Sequence, residues 1–300
     1  MLSIIIVSYN TAELTINCIK SIYNQTKEIE YEIIVVDNNS KDDSVCRIQK
    51  EFPNVKLIVN KDNRGFAYAL NIGIKNSSGE IILSINSDTL ITDNAIEKSY
   101  KFLKGNLQYG ILGVKLLNED NSIQPSCRNL PDIWNCFTEA FFLINVFPKS
   151  KIFGRYYMSY FNYDKTIEVD WIKGTYMMIR KEVFEKVGLF DDEFFLYSEE
   201  TDFMLRAKRK GIKTVFYNEA YIYHFEGSSS KNNPERVYKM VHKTKLLLFK
   251  KNFSFPRKQI LICIQYLSMI NRVVVYFLYG VIRLNREYIK KSFHFAKALF

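Results

Sequence analysis

Three carboxylates, Glu199, Glu200 and Asp202, fall within four residues in the stretch LYSEETDFMLR, directly behind FDDEFF. A carboxylate beside like charges and aromatic rings can have its pKa raised, and can then take a proton from a hydroxyl that attacks another centre. The same acids at the start of a helix would offset the positive end of its dipole, worth ~0.3–1 kcal/mol each. On charge alone both readings stand. A second set of polar residues closes three apolar runs: Ser8-Tyr9-Asn10, Asp37-Asn38-Asn39-Ser40 and Asn86-Ser87-Asp88. Such residues serve turns and helix caps. In an open α/β sheet, however, strand ends are also where ligands bind. Asp88 offers a hard oxygen ligand suited to Mg²⁺ or Mn²⁺.

The runs themselves must position these groups. Ser3–Val7, Glu32–Val36, Val55–Val59 and Glu80–Ile85 are apolar enough to be strands covered on both faces. Ala12–Tyr23, Ser44–Phe52 and Phe66–Ile74 carry one apolar face each and read as helices. Strand–helix alternation implies βαβ units and a mostly parallel sheet flanked by helices. Further on, Asp93–Leu103 reads as a helix, Ile111–Leu117 as a strand, and Ile133–Val146 as one helix in an aromatic-rich, irregular segment. Gly174–Ile179 and Thr214–Tyr217 read as strands, and Lys181–Val187 and Glu200–Lys210 as helices.

No GxGxxG follows the first strand and no GxxxxGK[ST] occurs anywhere, so dinucleotide and P-loop phosphate sites are excluded. Fifteen of the 42 Lys and Arg, but two of the 32 acids, lie in residues 231–300. That stretch is net +13 and the remainder net −3, which argues against nucleic acid as a partner and for a basic tail that meets an acidic surface. The five cysteines show no metal or redox spacing and suit a reducing, cytoplasmic compartment. MLSIIIVSYN reads as a first strand rather than a signal peptide.

Taken in order, SIIIVSYN, VVDNNSKDDS, NRGFAYALNIG, INSDT, VDWIKGTYMMIR, FDDEFFLYSEETDFMLR and YHFEGSS resemble family 2 glycosyltransferases, most of all the branch with bacterial rhamnosyltransferases. The resemblance covers Ser3 to Ser230 and implies a GT-A fold, a nucleotide-sugar donor (dTDP-, UDP- or GDP-linked) and inversion at the anomeric carbon. By this resemblance Ser8, Tyr9, Asn10, Glu13 and Asn39 would line the base pocket, and Asp37 would bond the pyrimidine ring. Asn63, Arg64 and Gly65 would lie near nucleotide and sugar. Asn86-Ser87-Asp88 stands at the family's DxD element with an amide as its first member. Asp88 and His224 are the implied metal ligands, for Mg²⁺ or Mn²⁺. Trp171 and Gly174 match the segment that shapes the sugar and acceptor pocket; core packing is the other reading of Trp171. The family's Glu-Asp pair is Glu199-Glu200 here, so Glu200 takes the position of the catalytic base with a reach longer by about 1.5 Å. Glu199 and Asp202 are the other candidates.

The chain is expected to divide into a catalytic domain, 1–230, and a basic helical extension, 231–300. Within the extension, Gln259–Ile282 is long enough to span a bilayer, but Arg272 near its middle would cost ~2.5–3.5 kcal/mol there. Basic residues flank it on both sides, which fits a helix lying on the anionic inner face of the plasma membrane, near a lipid-linked or glycan acceptor. Packing on the catalytic domain or on a second copy of the chain, giving a homo-oligomer, is the alternative. Two other functions stay open: a metal-dependent nucleotidyltransferase, which would want a glycine- and arginine-rich loop where SYNTAE stands, and a non-catalytic nucleotide- or sugar-binding scaffold.

Overall fold

The structure, a computed structural model, describes residues 1–225 and 234–299. The composition break at Ser230 and the last part of HFEGSS, from Glu226 on, lie outside the described residues. The chain opens with β1 (Leu2–Ser8), α1 (Ala12–Gln25), β2 (Tyr31–Asp37), α2 (Ser44–Glu51), β3 (Lys56–Val59), α3 (Phe66–Lys75) and β4 (Ile81–Asn86). There follow β5 (Thr89–Ile91), α4 (Ala95–Gly105), β6 (Tyr109–Leu117), β7 (Ile123–Gln124), β8 (Cys127–Arg128), α5 (Ile133–Ala140) and α6 (Leu143–Val146). Next come β9 (Ile167–Val169), β10 (Trp171–Ile172), β11 (Tyr176–Arg180), α7 (Lys181–Val187), α8 (Glu199–Arg209) and β12 (Lys213–His224). Three helices close the chain: α9 (Pro234–Asn252), α10 (Arg257–Ile282) and α11 (Arg286–Ala298).

These elements form two compact units. One comprises Met1–Cys127, Tyr163–Phe195 and Phe203–Glu226; the other comprises Arg128–Asn162, Leu196–Asp202 and Gly227–Phe300. The second unit therefore takes in two stretches that precede the basic tail, including the first turn of α8.

The first unit is built on one sheet in the order β3-β2-β1-β4-β11-β6-β12-β5, with β7 on β6 and β9 on β12. β3, β2, β1 and β4 are parallel, as the strand–helix alternation requires; β11 runs against both β4 and β6. β1 shows why. In LSIIIVS alternate residues point to opposite faces, and Leu2, Ile4, Ile5 and Ile6 are all fully buried. Leu2, Ile4 and Ile6 join Ile16, Ile19 and Ile22 of α1 in one core. Ile5, on the other face, meets Gly73 of α3, where a Cβ would press on its side chain. Each such side chain contributes about 1.5–3 kcal/mol by leaving water. The register pairs Ser8 with Asp37 and Val7 with Asn86, so three polar strand ends share one rim.

In the second unit α10 and α11 form an antiparallel hairpin. Ser292 Oγ donates to the Val273 carbonyl (2.9 Å), and Gly280 lets Ile289 close to its Cα. Phe295 stacks on Tyr238 of α9 (4.2 Å) and on Tyr276 of α10 (5.5 Å). The single helix expected over Ile133–Val146 is two, because Phe142 sits between α5 and α6 in the left-handed region at φ 56°. On α5, Glu139 meets Lys245 (2.8 Å) and Arg272 (3.6 Å) and accepts from Tyr157 Oη (2.9 Å). Burial would raise its carboxyl, but the two cations outweigh burial and hold it at about 2.

Candidate active site

The donor side lies wholly in the first unit and is assembled from the loops behind β1, β2, β3 and β4. The first two loops lock together. Asn10 N donates to Ser40 Oγ (2.8 Å), Lys41 N donates to Asn10 Oδ1 (2.7 Å), and Ala12 N donates to Asp42 Oδ2 (3.1 Å). Asn10 and Asn39 adopt positive φ, which asparagine tolerates better than most residues. Ser8 lies within hydrogen-bond reach of Thr15, and Thr11 Oγ1 reaches Ser87 Oγ (3.2 Å), tying the loop behind β1 to the end of β4. Tyr9 stays 45% exposed, its ring open at the rim.

Asp37 is fully buried. Its Oδ2 accepts from Ser40 N (2.8 Å), but its Oδ1 has no hydrogen-bond partner. A buried carboxylate oxygen left without a donor is costly, so Asp37 presents an acceptor that a ligand N–H would satisfy. Beneath it Asn38 Nδ2 donates to Asn63 Oδ1 (2.9 Å) and to the Gly65 carbonyl (3.1 Å), and Gly65 N donates to Asn63 Oδ1 (3.0 Å). Gly65 has φ +96°, and a Cβ there would collide with the Phe195 carbonyl oxygen, so no other residue fits. Arg64 stacks over Tyr68 at 4.0 Å. Glu13 is turned to Arg47 in a largely exposed ion pair (2.9 Å).

The expected metal ligands are neighbours. β12 pairs with β5 so that His224 faces Thr89, and Phe225 N donates to the Asp88 carbonyl (2.9 Å). His224 Nε2 then stands 3.4 Å from Asp88 Oδ1. Sequence reading missed the residues behind them. Lys173 Nζ donates to Gln124 Oε1 (3.1 Å), which fixes that atom as the amide oxygen, because an ammonium can only donate. His224 Nδ1 meets the same oxygen at 2.6 Å and must therefore carry a proton. Its Nε2 faces the Asp88 carboxylate. An imidazole nitrogen and a carboxylate oxygen placed in this way are a donor set that a divalent cation takes, and the Gln124 contact is the outer bond that metal-ligating histidines usually make. Among the described residues no cluster of three or more His, Cys, Asp or Glu could hold a metal. A site with two protein ligands is what Mg²⁺ uses when substrate phosphates complete its shell.

Asn86 N donates to the Thr175 carbonyl (3.0 Å), which sets the half-buried Gly174 turn against the end of β4. Trp171 is buried in β10, in keeping with a packing role.

The carboxylate cluster belongs to the second unit. Tyr197 and Ser198 both have positive φ (70° and 71°), a costly pair of conformations immediately before α8. Ser198 Oγ donates to Thr244 Oγ1 (3.3 Å) and Asn252 Nδ2 donates to Asp202 Oδ1 (2.7 Å), so α9 holds this turn from both sides. Glu199 is buried, and its Oε2 has no hydrogen-bond partner. Burial first, and then the charge of Glu200, push its carboxyl well above the usual range. Glu200 is half-buried and close enough to Arg128 to favour that residue's charge. Of the three acids, Glu199 and Asp202 are buried, whereas Glu200 is half-buried, next to Glu199 and within electrostatic reach of Arg128.

A mostly parallel sheet flanked by helices, with three polar strand ends on one rim, is a GT-A-type fold, and the comparisons agree. The model of glycosyl transferase family 2 matches residues 3–188, and the chain belongs to that family. A low-salt glycan biosynthesis hexosyltransferase, Agl10, of Haloferax volcanii is 28% identical over 215 residues, covering 70% of this chain and 62% of its own length. The chain thus spans less than two thirds of that relative. An N-acetylglucosaminyl-diphospho-decaprenol L-rhamnosyltransferase of Mycobacterium tuberculosis is 24% identical over 223 residues, covering 71% of this chain and 72% of its own. Among solved structures, mannosyltransferase PcManGT from Pyrobaculum calidifontis, in complex with GDP-Man and Mn²⁺, has TM-score 0.57 at 15% identity, covering 99% of this chain and 85% of its own. S. aureus TarS 1–349 has TM-score 0.55 at 15% identity, covering 99% and 80%. Both share the fold.

Proposed function

We propose that this protein is an inverting, metal-dependent glycosyltransferase. It moves a sugar from a nucleoside-diphosphate donor to a hydroxyl of a glycan or lipid-linked acceptor, in the synthesis of a bacterial surface polysaccharide. The observation that carries this reading is the Asp88–His224 pair, an imidazole nitrogen and a carboxylate oxygen 3.4 Å apart behind the end of β4. Mg²⁺ or Mn²⁺ bound there would offset charge on the departing diphosphate.

The remaining roles fall to residues of the chain. Asp37 accepts a hydrogen bond from a ring N–H of the base through its open Oδ1. Ser8, Tyr9, Asn10 and Asn39 line the base pocket, and Asn63, Arg64 and Gly65 bring backbone close to the ribose and phosphates. Glu200 takes the proton from the acceptor hydroxyl as its oxygen attacks the anomeric carbon. The bond to the diphosphate breaks, its electron pair leaves on the phosphate oxygen, and configuration inverts. Rhamnose from dTDP-rhamnose is the donor to test first, because the motifs resemble the rhamnosyltransferase branch and the Mycobacterium relative is named for that activity. The reading places the enzyme in the cytoplasm, at the inner face of the plasma membrane.

The test is a thermal-shift panel with UDP, dTDP, GDP and CDP, each with and without Mn²⁺, on the wild type and on Asp88→Ala. A ligand at a hundredfold excess over its Kd adds ~2.7 kcal/mol. One diphosphate should stabilise the wild type in a Mn²⁺-dependent way, and Asp88→Ala should lose that dependence. The absence of any diphosphate effect overturns the reading. Binding without hydrolysis or transfer of the matching nucleotide sugar favours the non-catalytic scaffold.

A further inference from the structure

Helix α10 sorts its side chains in a way its sequence conceals. The polar residues in its middle all turn inward. Gln265 and Ser268 are buried, and Gln265 Nε2 lies 3.0 Å from His242 Nδ1. Asn271 Nδ2 donates to the Ala140 carbonyl (2.8 Å), and Arg272 reaches Glu139 (3.6 Å) and Ser268. The outward face is left without a charge or an amide from Ile260 to Ile282. Ile260, Leu267, Ile270, Val274, Leu278 and Val281 repeat at helical spacing along it, each 41–53% exposed. The stripe from Ile260 to Val281 is about 32 Å long at 1.5 Å per residue. Cations stand at both ends, Arg257 and Lys258 before it, Arg283 and Arg286 after it. Beside α10, on α5 and the segment behind it, Trp134, Phe137, Phe141 and Phe147 are also exposed (37–48%) and are followed by Lys149 and Lys151.

We infer that this face of α10 is a monotopic membrane-binding surface for an anionic phospholipid bilayer. The helix lies in the plane of the interface and buries only its outward side. By length and composition α10 could cross a membrane. A span, however, would set lipid around a helix whose inner side is occupied by the Arg272–Glu139 pair and by the α11 hairpin. The charges choose between a bilayer and a second copy of the chain. Pairing two such stripes, parallel or antiparallel, sets cationic ends against cationic ends, whereas anionic headgroups meet them with opposite charge. Aromatic side chains at the rim suit the headgroup level, where tryptophan is enriched. The inference deepens the proposed function, on whose lipid-linked acceptor it bears, but its assay contains no sugar donor, so the two stand or fall separately.

The test is co-sedimentation of the full chain with phosphatidylcholine vesicles and with vesicles containing phosphatidylglycerol. Binding should require the anionic lipid. It should shift the emission of Trp134 to shorter wavelength while Trp171 is already buried. Ile270→Glu with Leu278→Glu, both on exposed positions, should abolish binding with the melting curve preserved. Arg283→Gln with Arg286→Gln should weaken it about thirtyfold, as expected for losing two interfacial cations. Failure of the wild type to bind anionic vesicles overturns the inference, as does unaltered binding by the Ile270/Leu278 variant. A dimer in lipid-free buffer that the same variant converts to monomer assigns the face to a second copy instead, and also overturns it.

Discussion

Asn252, the last residue of α9, donates a hydrogen bond to Asp202 Oδ1 at 2.7 Å, and so fastens the end of that helix to the acidic first turn of α8. Together with Thr244, which receives the Ser198 hydroxyl, it gives α9 a part in orienting Glu199 and Glu200. Asn252→Ala removes a hydrogen bond to a buried carboxylate and should cost about 1.5–3 kcal/mol in denaturant unfolding. In the assay it should lower kcat and leave the donor KM unchanged. Asn252→Asp, which sets a second carboxylate against Asp202, should be worse than alanine on both measures.

Glu200→Gln should abolish transfer while leaving nucleotide diphosphate affinity intact, which titration calorimetry can follow. Glu199→Gln should behave differently. A buried acid whose pKa is raised binds its proton more tightly folded than unfolded, so it destabilises the protein as pH rises from the ordinary value of 4.5 upward. The variant escapes that penalty. Its stability relative to wild type should therefore increase with pH, and thermal melts from mildly acidic to mildly alkaline buffer will show whether it does.

The Glu139 ion pair makes the opposite prediction. Its pKa is depressed to about 2, so its contribution is full above the unfolded value of 4.5 and is lost as pH falls toward 2. Glu139→Gln leaves Lys245 and Arg272 without a counter-charge in a mostly buried site, and should cost about 3–5 kcal/mol at neutral pH. The gap between variant and wild type should close on acidification. A gap constant down to pH 2 would refute the electrostatic account.

Gln124→Ala frees His224 to rotate or to change tautomer. Outer partners of metal-bound histidines are worth about 10- to 100-fold in metal affinity. The Mn²⁺ concentration that gives half-maximal nucleotide binding should rise by that factor, with nucleotide affinity in the absence of metal unchanged.

The parallel half of the sheet was legible because strands covered on both faces spell themselves as unbroken apolar runs, as SIIIV and EIIVV do. β12 was legible only as far as Tyr217. There its register against β6 shifts, and the remaining residues alternate in burial but not in polarity up to His224. β5, at three residues, is too short to carry a period. The break at Phe142 leaves no mark, since the apolar pattern runs through it and aromatic residues seldom take positive φ. At the site, Asp37, Asp88 and His224 could be named from motifs. Gln124 and Lys173 could not, because only the pairing of β7 with β6 and of β12 with β5 brings distant parts of the chain to one imidazole. Arg272 looked like a liability in an apolar helix for the same reason: its partner Glu139 lies on another helix far earlier in the sequence.

The first turn of α8 belongs to the same compact unit as the C-terminal helices, whereas the family model ends at residue 188, before that turn begins. The family match takes in residues 128–162 of that unit but neither the three acids nor the C-terminal helices. On the proposed function, exchanging residues 128–162, 196–202 and the tail as a set should give chimaeras that keep nucleotide preference and change the hydroxyl they glycosylate.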